Sequence, residues 1–136
     1  MKRIFFLINV AAFCSCSSQK VVNTKRIEMD SLKTVIENSQ DSMVMKEPAC
    51  IRDLVKKFKA EEKQNPARSV FRYTYKERKV YYVPAICCDF FSDLYDDQCN
   101  LIAHPDGGFT GRGDGKAEDF KDKRTDGILI WKDERK

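Results

Sequence analysis

The stretch Ser69-Val-Phe-Arg-Tyr-Thr-Tyr-Lys-Glu-Arg-Lys-Val-Tyr-Tyr-Val-Pro84 carries the reading of the fold. Val70, Arg72 and Thr74 alternate with Phe71, Tyr73 and Tyr75, the period of two that sends successive side chains to opposite faces of a sheet. A charged turn near Glu77-Arg78 leads into Val80, Tyr81, Tyr82 and Val83, so the stretch reads as a β-hairpin. Phe71, Tyr73 and Tyr75 are expected on one face, available for a helix to cover.

Just upstream, Cys50 to Lys63 (CIRDLVKKFKAEEK) places Ile51, Leu54, Val55 and Phe58 at i, i+3, i+4 and i+7, with Lys56, Lys57, Lys59 and Glu61 on the other side. That is an amphipathic helix, stopped by Asn65-Pro66. It is the expected cover for the aromatic face. Downstream, Phe90, Phe91, Leu94 and Tyr95, a turn around Asp97-Gln98 and then Leu101-Ile102 read as a second, shorter hairpin, and Ile128-Leu129-Ile130-Trp131 as a closing strand. A helix followed by strands predicts an α+β fold, with the N-terminal helix packed on a mainly antiparallel sheet in one small, disulfide-stabilised domain.

The start of the chain has a different grammar. Lys2-Arg3 precede ten mostly apolar residues, Ile4 to Phe13, too few for the roughly 20 that cross a bilayer. This is the pattern of an export signal. The following Phe13-Cys14-Ser15-Cys16-Ser17-Ser18 resembles the lipobox of bacterial lipoproteins, in which a small residue precedes the cysteine that becomes lipidated. Ser15 meets that requirement for Cys16, whereas bulky Phe13 precedes Cys14. The resemblance implies a signal peptide over residues 1–15, and a diacylglycerol and an acyl chain (palmitate is a common one) on Cys16. Two lipid signals are enough for stable membrane attachment. The expected partner is then a lipid bilayer, and the expected place the bacterial cell envelope. Ser17-Ser18-Gln19-Lys20 has no acidic tract resembling a surface-export tag, which favours a periplasm-facing position.

Residues 16–48 read as the lipidated N-terminus and a polar, partly helical tether, because Ile27, Leu32, Val35 and Ile36 recur at roughly helical spacing. Residues 49–136 form the globular domain. Of the chain's 25 Lys and Arg, Lys2 and Arg3 leave with the signal, so 23 face 21 acidic residues. Basic and acidic residues are interleaved, which argues against a nucleic-acid partner.

Four cysteines remain after the signal and the anchor: Cys50, Cys87, Cys88 and Cys99. An even number in a small exported domain predicts two disulfides. A bond between the neighbours Cys87 and Cys88 needs an unusual peptide geometry, so each is expected to look elsewhere, one to Cys50 and the other to Cys99. Their spacing lacks the zinc pattern, and His104 is the sole histidine. No resident metal and no cofactor are predicted.

The segment His104 to Gly115 (HPDGGFTGRGDG) holds five of the six glycines and is expected to be a loop. In the longer loop from Asp106 to Asp119, the candidate site residues are Asp106, Arg112, Asp114 and Asp119. The carboxylates are of the type calcium takes, without the order of an EF-hand; Arg112-Gly113-Asp114 matches the adhesion tripeptide, though turn chemistry accounts for it. A hydrolase centred on His104, with Asp106 beside it, has no recognisable nucleophile motif around Ser69, Ser92 or Thr110. The series YTYKERKVYYVPAICCDFFSDLYD, HPDGGFTGRGDG and the final Ile130-Trp131 resembles an uncharacterised domain of small bacterial envelope lipoproteins, over residues 50 to 133. That resemblance implies a domain and no activity. The expectation is a non-catalytic binding or structural module whose partner is an envelope protein, peptide or glycan; an envelope peptidase inhibitor with the Gly-rich loop as its inserted element, and a small hydrolase using His104, are the alternatives.

Overall fold

A computed structural model describes residues 18–135. Ser69–Tyr75 (β1) and Arg78–Val83 (β2) pair antiparallel, in register from Phe71 opposite Tyr82 to Tyr75 opposite Arg78. Lys76 and Glu77 turn the chain with φ of 48° and 64°, the backbone that matches the twist of two-residue hairpins. Asp93–Asp96 (β3) pairs with β2, Leu101–Ala103 (β4) with β3, and Thr125–Lys132 (β5) with β1, all antiparallel. The strand order is β4-β3-β2-β1-β5, and the α+β class expected from the sequence is the one observed.

Two long helices precede the sheet, Ser18–Val44 (α1) and Ala49–Ala60 (α2), and a single turn, Phe120–Lys123 (α3), leads into β5. The chain divides between Lys33 and Thr34 into two units. The described part of the first is helix, and none of the described helices is long and apolar enough to cross a membrane. The signal peptide over residues 1–15 and Cys16 lie outside the described residues.

The apolar stripe of α2 buries Ile51, Val55 and Phe58 against Val70, Tyr81, Val83, Ile130 and Trp131, with Phe58 and Trp131 rings stacked at 6.1 Å. Each fully buried aliphatic or aromatic side chain contributes roughly 1.5–3 kcal/mol, which a helix of 12 residues needs because alone it is marginal in water. Here the observed face differs from the expected one. Phe71, Tyr73 and Tyr75 alternate as predicted, but they point away from α2. Smaller Val70 and Val83, with Tyr81, take the helix. Arg72 shares that face, and it is accommodated because buried Glu47, in the link between α1 and α2, pairs with it. The aromatic face packs instead under Phe120 and Ala117, in a second core with Tyr75, Val80, Leu94 and Ala103.

The cysteine pairing also differs from expectation. Cys50 joins Cys99, Cα atoms 6.2 Å apart, tying the start of α2 to the β3–β4 turn. Cys87 joins its neighbour Cys88, Cα atoms 3.7 Å apart. The alternation that was to send them to opposite faces requires extended chain, and after Pro84 the chain bends, with Cys88 at φ 46°.

Candidate functional site

The glycine-rich segment folds back on itself and docks on the chain before β3. The amide of Ser92 donates to the carbonyl of Asp106 at 3.1 Å, that of Gly108 to Phe90 at 3.1 Å, and that of Asp114 to His104 at 2.9 Å. At Gly113, with φ 71°, a Cβ would overlap the carbonyl oxygen of His104. Only glycine permits both the left-handed backbone and that approach.

So held, the loop walls one side of a cleft of about 760 Å³ over the aromatic face of the sheet. Phe71 and Tyr73 of β1, Tyr82 of β2 and Phe120 of α3 form its apolar lining. The guanidinium of Arg124 lies 4.6 Å from the ring centre of Tyr73 and 5.2 Å from that of Phe120, within cation–π range of both. Arg112, Lys121 and Glu118 stand at the rim. The Tyr82 hydroxyl donates to Asp106 at 2.8 Å and lies 3.2 Å from the Ser92 hydroxyl. Burial pushes the Tyr82 phenol up to about 12, the Ser92 contact working against this and the Asp106 carboxylate adding to it. Tyr82 therefore stays a neutral donor at physiological pH.

Of the four loop residues singled out in the sequence, the cleft gathers two, Asp106 and Arg112. Asp114 turns to Lys116, taking its amide at 3.1 Å with the ammonium 3.5 Å away. Asp119 accepts the Tyr75 hydroxyl and pairs with Lys123 at 3.1 Å and Lys76 at 3.6 Å. These bonds, that from Tyr75 first, hold its carboxyl at about 2. Among the described residues, no group of three His, Cys, Asp or Glu side chains converges to hold a metal ion.

His104 lies outside the cleft lining. Its Nδ1 is 3.0 Å from the Asp93 carboxylate and 3.2 Å from the Ser92 carbonyl oxygen, and its ring lies 5.0 Å from that of Phe91. The Ser92 hydroxyl is engaged elsewhere, accepting the Ala85 amide at 2.9 Å. Among the described residues no hydroxyl is hydrogen-bonded to His104, the contact a nucleophile and base share.

Sequence reasoning missed Phe120, Lys121 and Arg124 as site residues. One signal was present: Phe120 is the lone apolar residue in the charged run Glu118 to Arg124, and such a residue anchors an otherwise wet segment.

Fold and site together define a small α+β domain with one sheet face under a helix and the other open as an aromatic, cation-rimmed cleft. Residues 56–133 match the family described as Domain of unknown function (DUF6970), and the chain belongs to that family. The match runs from within α2 to just past β5, so it includes every residue of the cleft. Comparison with curated proteins and with solved structures gives no match.

Proposed function

We propose that this chain is an envelope lipoprotein, anchored to the bilayer through acylated Cys16 and facing the periplasm, whose domain binds a ligand in the aromatic cleft without turning it over. The anchor rests on the charge, apolar run, small residue and cysteine of the first 16 residues. The binding role rests on one observation above all. The cleft combines an aromatic lining with Arg112, Lys121 and Arg124, none of which has a carboxylate partner within 4 Å among the described residues. Amphipathic aromatics and arginine are the residues most enriched where proteins bind.

A specific observation keeps the inhibitor reading as the second one: Phe109, at the tip of the Gly-rich loop, is 94% exposed. An apolar side chain held out by a braced loop suits insertion into a peptidase pocket.

The test is affinity capture from native envelope with the full-length lipidated chain, followed by mass spectrometry of bound material and of the N-terminal peptide. Wild-type chain and His104→Ala should retain the same ligand, Phe71→Ala should lose it, and Cys16 should carry the lipid mass. Equal capture by Phe71→Ala would remove the cleft as the binding site, and an unmodified Cys16 would remove the anchor.

A further inference from the structure

We propose that the cleft recognises a singly charged carboxylate carried beside a flat apolar group. This rests on the cleft being the binding site and adds the chemistry of what it takes.

The lining has three cations, Arg112, Lys121 and Arg124, against two carboxylates, Asp106 and Glu118. The excess is one positive charge, which complements a monoanion; a phosphate dianion would overshoot it and meet repulsion from both carboxylates. Asp106 is already committed to the Tyr82 hydroxyl. Arg124 is half-buried on the rings of Tyr73 and Phe120, so its position is set before a ligand arrives. A planar guanidinium fixed in this way matches a carboxylate through two parallel N–H donors. The rings beneath and beside it provide the apolar half of the contact, where a flat group stacks at favourable offset. Arg112 is exposed in the lining, on the Gly-rich loop, and supplies a second donor set. Two sources carry this chemistry, a free aryl or arylacyl acid and the end of a peptide chain finishing in an aromatic residue.

The test is calorimetric titration of the full-length lipidated chain in nanodiscs. The probes are hippurate, its neutral amide hippuramide, glucuronate, phenyl phosphate, and the tetrapeptide Ala-Ala-Gly-Phe with a free or amidated terminus. Hippurate should bind at least tenfold more tightly than hippuramide, glucuronate or phenyl phosphate. Arg112→Gln and Arg124→Gln should each weaken it about tenfold at unchanged melting temperature; Arg112 is exposed, so its replacement leaves the fold intact even if that of Arg124 does not. Tighter binding of the free-acid peptide than of hippurate identifies a chain end, and equal binding identifies a free acid. Hippuramide as tight as hippurate, phenyl phosphate tighter than hippurate, or wild-type affinity in both arginine variants would overturn the proposal. If no probe binds while Phe71→Ala still loses its envelope ligand, the carboxylate inference fails and the cleft survives; if Phe71→Ala retains that ligand, both fail.

Discussion

Glu47 and Tyr81, 34 residues apart in sequence, meet through a hydrogen bond of 2.7 Å from the tyrosine hydroxyl to Oε2, while Oε1 takes the guanidinium of Arg72. The glutamate is 5% exposed, and its carbonyl also accepts from Arg52 at 3.1 Å. One residue in the link between two helices thus fastens them to the first two strands. Burial first, and the carboxylate second, push the Tyr81 phenol well above its ordinary value. Replacing Glu47 with alanine leaves an arginine and a buried hydroxyl without their acceptor. The expected loss is about 3 kcal/mol, the low end for broken buried pairs because Arg72 reaches solvent. Glu47→Gln keeps the Tyr81 acceptor and should cost about half as much. Urea denaturation of the three proteins measures both.

The two cysteine pairs should differ sharply in their contribution. Cys50 and Cys99 are separated by 49 residues, and closing a loop of that size removes unfolded-chain entropy that is equivalent to about 4 kcal/mol of stability at about 25 °C. The Cys87–Cys88 pair closes almost no loop. The double replacement Cys50→Ala/Cys99→Ala should therefore lower the melting temperature by well over 10 °C for a domain of this size, and Cys87→Ala/Cys88→Ala by only a few degrees. Thermal unfolding followed by circular dichroism decides it.

Two glycines of the loop separate backbone strain from steric overlap. Gly111 and Gly113 both have φ of 71°, but nothing lies within 4 Å of a Cβ at Gly111, whereas one at Gly113 overlaps His104. Gly111→Ala should cost about 1–2 kcal/mol, the penalty of a left-handed residue. Gly113→Ala should cost more and should also open the cleft wall, since the new Cβ displaces the His104 carbonyl that accepts the hydrogen bond from the Asp114 amide. Chemical denaturation, with hydrogen exchange at Asp114, reads both effects.

Acid and alkaline limbs of stability follow from Asp119 and Tyr82. The Asp119 carboxyl is held at about 2, below its ordinary 3.8. The unfolded chain therefore binds the proton first, and this stabilisation is complete above pH 4 and is lost as pH falls towards 2. Asp119→Asn should flatten that limb. The Tyr82 phenol is pushed the other way, from 10.0 to about 12, so the folded state keeps its proton longer. Its contribution is present below pH 10 and is lost as pH rises towards 12. Tyr82→Phe should weaken the alkaline decline in a pH series of melting temperatures, without abolishing it, because burial raises the Tyr95 phenol to about 12 as well.

The elements were legible where one period ran uninterrupted. Ile51, Val55 and Phe58 reported their helix, and the alternation from Val70 to Tyr75 its strand. Which face the helix covers was not legible, because the deciding contact, Glu47 on Arg72, joins residues 25 apart in sequence, and no local pattern encodes it. The α3 turn has four residues, too few to show a period. The Cys87–Cys88 pairing follows from a bend that the extended-chain assumption removed. The site was half visible: glycine density marked the loop that carries Asp106 and Arg112, while Arg124 and Lys121 read as ordinary surface charge until Phe120 placed them over the sheet.

The most direct measurement of the central claim, that the aromatic cleft is the binding site, is amide hydrogen exchange of the full-length lipidated chain in nanodiscs, with and without detergent-solubilised native envelope. The account predicts slowed exchange concentrated in the loop from Asp106 to Arg112 and in Phe120 to Arg124, with α2 unchanged. Slowing confined to α2, or the same slowing in Phe71→Ala, would contradict it.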